Sequence, residues 1–244
     1  MEVTVSKSEG LWGHIRTIFW GVLIALVIRS FLLQPFTIPS GSMIPTLLVG
    51  DYVIVSKFSY GFSRYSLPFS PDIMPEDRLL GTMPSHGDVV VFRLPSNTNI
   101  DYIKRVIGLP GDRVQMRDGT LFVNGVAVQK AFDSCYEPGI AENLCRSPIF
   151  KEEFRGSSHL MMDTHRSRAD NTREFLVPSN HLFFMGDNRD NSEDSRLSVG
   201  FVPIENLVGR AELVLFSIDE RFSLFDPSSY VYLFRWGRFF ERVE

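Results

Sequence analysis

Two serines one residue apart, framed by prolines, are the first residues in the chain that could do covalent chemistry. Residues Gln34 to Leu47 read QPFTIPSGSMIPTL. Pro39 and Pro45 bias the residues before them toward extended backbone. Residues two apart on an extended chain share a face, so Ser40 and Ser42 can present both hydroxyls to one site. Gly41 removes the side chain between them and lets another backbone approach. A Pro/Ser/Gly linker would explain the same composition equally well.

A serine nucleophile needs a base. His14, His86, His159, His165 and His181 are scattered, and none sits beside a candidate nucleophile. Lysine is the next candidate. Of the 25 basic residues only five are lysines: Lys7 precedes an apolar segment, and Lys130 and Lys151 fall in a polar stretch. Lys57 and Lys104 remain, each in a β-like run. In DYIKRVIG (Asp101 to Gly108), strand alternation puts Tyr102, Lys104 and Val106 on one face. An ammonium between an aromatic ring and a β-branched residue is poorly hydrated, so its pKa falls. Service near neutrality needs a drop of about 3 units from roughly 10.4, or about 4 kcal/mol of differential desolvation. Arg105, on the opposite face, is expected to stay in water.

Several other chemistries lack their signatures. The chain has no G-x-S-x-G, S-x-x-K, H-E-x-x-H, phosphate-binding or dinucleotide-binding glycine pattern. The acidic string Asp187 to Asp194 matches a calcium loop only superficially. Counted from Asp187 it puts Arg189 at a ligand position, and counted from Asp190 it puts Ser195 where glycine belongs. Neither metal nor cofactor is expected. A net charge of −4 argues against nucleic acid as a partner.

The elements that must position these residues are short strands. DYVIVSKF (Asp51 to Phe58), GDVVVFRL (Gly87 to Leu94), GTLFVNGVAV (Gly119 to Val128), HLFFMGD (His181 to Asp187) and ENLVGRAELVLFSI (Glu205 to Ile218) are β-rich and bounded by turns. Asn124-Gly125 marks a hairpin. The expected fold is mainly β, with twisted antiparallel sheets and an inserted cap over residues 130–178. The aromatic, basic end from Tyr230 to Glu244 suits a helix or a membrane surface.

Ahead of the strands, Thr17 to Leu33 reads TIFWGVLIALVIRSFLL, with Arg29 as its one charge. As a helix it spans roughly 26 Å, close to the bilayer core. A mean hydropathy of zero excludes a polytopic membrane protein but accommodates this single span. No A-x-A site follows it, so a retained anchor is favoured over a cleaved leader. Lys7 and Arg16 before it suggest that the N-terminus stays inside and the rest is exported. Two cysteines are too few for a disulfide scaffold. In an oxidising compartment Cys135 and Cys145 could join, closing a loop worth about 3 kcal/mol.

Three segments together resemble the bacterial type I signal peptidases, serine proteases with a Ser/Lys dyad. They are PSGSMIPTLLVGDYVIVSKFSYG (Pro39 to Gly61), GDVVVFRLP with DYIKRVIGLPGDRV (Gly87 to Val114), and FMGDNRDNSEDSRLSVGFVP (Phe184 to Pro203). The resemblance implies Ser42 as nucleophile and Lys104 as general base. The Ser42 N–H and the Ser40 hydroxyl would form the oxyanion hole, and Ser192 would orient the lysine. Asp194 and Arg196 would brace that loop as a pair, with Asp187 and Arg189 also supporting it. Phe36, Ile38, Pro39, Met43, Leu47, Val91, Tyr102 and Ile103 would line pockets for small side chains.

The implied substrates are signal peptides of exported pre-proteins, cut after small residues at the surface of a lipid bilayer. The implied organisation is a cytoplasmic tail (1–14), an anchor (15–34), and a catalytic core (35–129 and 179–244) carrying the cap (130–178). The implied location is the bacterial inner membrane, with the core on its outer, periplasmic side. A conjugation-type Ser/Lys processing protease is the alternative within the same fold. A non-catalytic, membrane-tethered β module is the alternative outside it.

Overall fold

A computed structural model describes residues 10–66, 78–136, 145 and 147–243. Lys7 and the other residues before Gly10 lie outside this range. Among the described residues, one α-helix, α1 (Leu11–Phe31), precedes fourteen strands. Its window Trp12–Arg29 is long and apolar enough to cross a membrane, and none of that window is buried in the protein. The helix begins six residues before the expected segment, because Leu11, Trp12 and Ile15 extend the apolar run. It ends sooner, at Phe31, because the chain from Leu33 pairs as a strand.

The strands are β1 (Leu33–Thr37), β2 (Asp51–Ser56), β3 (Val89–Leu94), β4 (Asn97–Gly108), β5 (Arg113–Arg117), β6 (Thr120–Val123) and β7 (Val126–Ala127). They continue with β8 (Gln129–Cys135), β9 (Pro148–Phe154), β10 (Ser157–Met162), β11 (Phe175–Leu176), β12 (His181–Met185), β13 (Val202–Pro203) and β14 (Leu207–Ser217). Seven form one sheet in the order β1-β2-β14-β3-β4-β12-β13. Its neighbours pair antiparallel. The excursion between β4 and β12 makes a four-stranded sheet, β11-β5-β6-β7, and a three-stranded sheet, β10-β9-β8. The polar stretch after Lys130 is therefore only the later part of what leaves the large sheet.

Apolar alternation explains the layers. Val53 and Val55 of β2, Val89 and Val91 of β3, and Ala211 and Val214 of β14 pack with Met43 and Leu47 in one core. Val90, Phe92, Val106, Leu182 and Phe184 pack on the other face. The hairpin between β6 and β7 turns at Asn124 and Gly125, both at positive φ, as the Asn-Gly pair requires. Cys135 and Cys145 are joined by a disulfide with Cα atoms 5.8 Å apart. The aromatic end forms short 3-10 turns that bridge back to Leu213 and Ile218, rather than a helix.

Candidate active site

The serine segment turns where the sheet begins. After β1 the chain stays extended through Ser40, then makes a 3-10 turn at Gly41–Met43 that carries Ser42. The 187–196 loop, between β12 and β13, clamps this turn. Asn188 N donates to Ser42 O at 3.1 Å and Asn188 Nδ2 to Gly41 O at 3.0 Å. At Gly186 a Cβ would fall 2.5 Å from Ser42 O and 2.2 Å from Ser192 Oγ, so only glycine lets the two segments close.

Lys104 arrives from the middle of the sheet, opposite Val90 of β3. Its Nζ lies 2.6 Å from Ser42 Oγ, across 62 residues of chain, and 3.1 Å from Ile103 O. The Tyr102 ring centroid is 5.2 Å away. Burial lowers the Lys104 pKa to about 8, against a smaller upward pull from Asp194 and Asp187. Lys57 is also buried, and burial and Arg29 lower it to about 8 as well. A depressed pKa therefore does not distinguish the two lysines. Proximity to Ser42 does.

The surrounding charges are paired inside the protein. Arg105 is 1% exposed, contrary to the expectation that it stays in water. Register explains this: Arg105 faces Met185 across β12, which leaves Asp187 just beyond within reach of the guanidinium. Arg105 Nε and Nη2 donate to Asp187 at 2.8 and 2.7 Å, and Thr46 Oγ1 donates to the same carboxylate at 2.5 Å. Burial alone would raise the Asp187 carboxyl, but Arg105 outweighs it and holds the group below the usual carboxylate range. Arg189 pairs with Glu152 of β9, which has no counterpart among the expected residues. One of two adjacent glutamates in a polar insertion, Glu152 carries no local signal of such a partner. Asp194 binds Arg196 Nη2 at 2.8 Å and Gly186 N at 3.1 Å, closing the loop on itself.

Ser192 lines the same cavity as Ser42 and Lys104, but its buried hydroxyl makes no hydrogen bond to the lysine. Lys104 Nζ instead reaches Ser42 and Ile103 O. Ser40 Oγ lies 3.4 Å from Ser42 Oγ, so the two hydroxyls do share a face. The cavity, about 670 Å³, is walled by Phe36, Ile38, Pro39, Val91, Tyr102 and Ile103. Met43 and Leu47 do not reach it. Both are fully buried beneath the serine turn, because the turn folds that side of the segment into the core. Ile100 and Leu197 reach the cavity from β4 and from the loop, and sequence spacing gave no sign of either.

Residues 11–216 match the family described as signal peptidase, peptidase S26. The chain belongs to that family. As a signal peptidase it is a serine endopeptidase that cleaves signal peptides. The signal peptidase I of Rickettsia typhi (strain ATCC VR-144 / Wilmington) is 41% identical over 206 residues, spanning 80% of this chain and 76% of its own. That of Rickettsia rickettsii (strain Sheila Smith) is 39% identical over 222 residues, 87% of this chain and 80% of its own. A crystal structure of a signal peptidase I from Enterococcus faecalis V583 shares 29% identity. It covers 53% of this chain and 97% of its own, with a TM-score of 0.33. So partial a superposition leaves the fold to rest on the strand pairing above.

Proposed function

We propose that this signal peptidase is held in the membrane by α1 and cuts with Ser42 as nucleophile and Lys104 as general base. The contact of 2.6 Å between Lys104 Nζ and Ser42 Oγ carries the reading. The neutral amine accepts the hydroxyl proton as Oγ attacks the scissile carbonyl. The Ser42 N–H and the Ser40 hydroxyl donate to the oxyanion. The lysine ammonium then protonates the departing amine, and the amine so restored activates the water that hydrolyses the acyl-enzyme. Asp187, Arg189, Asp194 and Arg196 hold the loop that faces this pair, with Ser192 at the cavity wall.

Substrate binding follows from the sheet. β1 is an edge strand, and Phe36 within it and Ile38 just after it border the cavity. A signal-peptide segment adding as a further strand would gain main-chain hydrogen bonds, while the apolar walls admit only small side chains. The apolar anchor keeps this edge near the bilayer that holds the substrate's own apolar segment, which raises their effective concentration. Arg16 at the start of α1 favours a cytoplasmic N-terminus and a periplasmic core on the bacterial inner membrane. Within it, residues 130–178 act as a cap on the core of 35–129 and 179–244.

The base must be neutral to work. Cleavage under kcat/KM conditions is therefore expected to rise with pH and level off above an apparent pKa of about 8. Lys104→Arg should remove this limb together with activity, since a guanidinium stays protonated. A rate still climbing at pH 10 in the parent enzyme would count against a depressed lysine. Ser40→Ala removes one oxyanion donor while keeping the dyad. It should lower kcat by about 10²–10³-fold with KM little changed, as steady-state cleavage of a pre-protein would read.

A further inference from the structure

The inserted strands return to the 187–196 loop through a junction of acids. Met162 N donates to Asp187 O and Arg189 N to Met162 O, both at 2.8 Å, so the end of β10 is stitched to the loop. Just past that stitch, Asp163, Asp170 and Asp190 each offer a carboxylate oxygen, and the three oxygens lie within 4.8 Å of one another. Asp163 and Asp170 border a cavity of about 310 Å³.

A second observation comes from Asp190, whose side chain is 1% exposed. Its Oδ2 accepts from Thr164 N at 2.7 Å, His165 N at 3.0 Å and Thr164 Oγ1 at 3.1 Å. Its Oδ1 is equally buried and accepts no hydrogen bond. A carboxylate oxygen withdrawn from water without a partner is costly, and native structures seldom leave one so. Burial opposes the charge on Asp190, but the backbone donors outweigh it and keep the carboxyl below its ordinary pKa.

The positive charges at hand do not balance the acids. Lys130 Nζ lies 2.8 Å from Asp163 Oδ2 and donates to Gly119 O at 2.8 Å. His165 stands 3.7 Å from Asp190 Oδ2, with its ring largely in solvent. Arg166 borders the same cavity, so three carboxylates against one ammonium and one guanidinium leave one negative charge unmatched. We propose that Asp163, Asp170 and Asp190 bind a divalent cation of calcium's size, which fastens the 187–196 loop to the inserted strands. Oxygens on opposite sides of calcium stand about 4.6–5.2 Å apart, a span this group allows, whereas magnesium holds them to about 4.2 Å. A linear calcium-loop pattern does not reveal such a site, because the ligands come from two segments joined only by the fold.

This inference goes beyond the peptidase reading, and its binding test does not depend on the Ser/Lys dyad. The full chain, purified in detergent and stripped with chelator, is titrated with calcium chloride and with magnesium chloride by calorimetry. One calcium is expected to bind with Kd near 10⁻⁴–10⁻³ M, more tightly than magnesium, and to raise the thermal midpoint by a few degrees. Asp163→Asn and Asp170→Asn should abolish both effects while leaving cleavage in chelator unchanged. The proposal is overturned if the parent protein shows neither heat nor a thermal shift at about 10 mM calcium, ten or more times that Kd. It is equally overturned if both variants bind calcium as the parent does. Should the variants not fold, the titration of the parent decides.

Discussion

Ser42→Ala and Lys104→Ala should each cut pre-protein cleavage by at least about 10³-fold, the scale seen when a nucleophile or its base is removed from a serine hydrolase. The reason is the single contact on which both depend, Nζ to Oγ at 2.6 Å. Either loss leaves the other group with nothing to do, so the double variant should be no worse than the single ones. Neither substitution removes a structural partner from the sheet. Lys104→Met keeps the volume of the stem and should be inactive yet fold like the parent, separating chemistry from packing. Removing the buried ammonium should also lift a stability penalty that is present below pH about 8. That penalty is relieved as pH rises from about 8 toward the unfolded value of about 10.4, because the folded chain gives up its proton first. The measurement is single-turnover processing of a pre-protein in detergent, alongside thermal midpoints. Retained processing by either purified variant would remove the dyad.

The second large effect is on stability. Asp187→Ala leaves the Arg105 guanidinium 1% exposed and without its carboxylate. Uncoupling a buried pair in this way costs about 3–5 kcal/mol. For a chain of this size that corresponds to a fall of roughly 10 °C in thermal midpoint. The cost comes from the stranded charge rather than from the value of the pair, so Asp187→Leu combined with Arg105→Met should recover much of the loss. Acid should act through the same group. The contribution of Asp187 is complete above about pH 4 and is lost as pH falls through its depressed native value. Denaturant unfolding of the three proteins checks this, and an Asp187→Ala variant within about 1 kcal/mol of the parent would contradict it.

Much of the scaffold was legible in order along the chain. The runs at Asp51, Gly87, Asp101, His181 and Glu205 became β2, β3, part of β4, β12 and β14, since two-residue alternation records which side of a sheet is buried. The apolar helix was legible for a similar reason. Of the inserted strands, β6 and β7 were legible from the run at Gly119 and its Asn-Gly turn. β8 and β9 were less so, because they carry many polar residues, are exposed at many positions and take their shape from pairing with one another. Arg105 shows the limit of alternation. It does face away from Lys104, but that face is interior too, because the strand passes through the middle of the sheet with a core on either side.

Residue types and their spacing thus determined the strand order in sequence, the apolar helix and a short roster of residues able to act: Ser40, Ser42 and Lys104. Tertiary structure put Lys104, the base the resemblance implied, against Ser42. It also decided that Arg105 is buried against Asp187, that Glu152 holds Arg189, and that Met43 and Leu47 sit under the site instead of in it. Local patterns report each residue's own backbone and burial. Pairing across sixty or more residues depends on strand register and loop closure, which no neighbouring residue encodes.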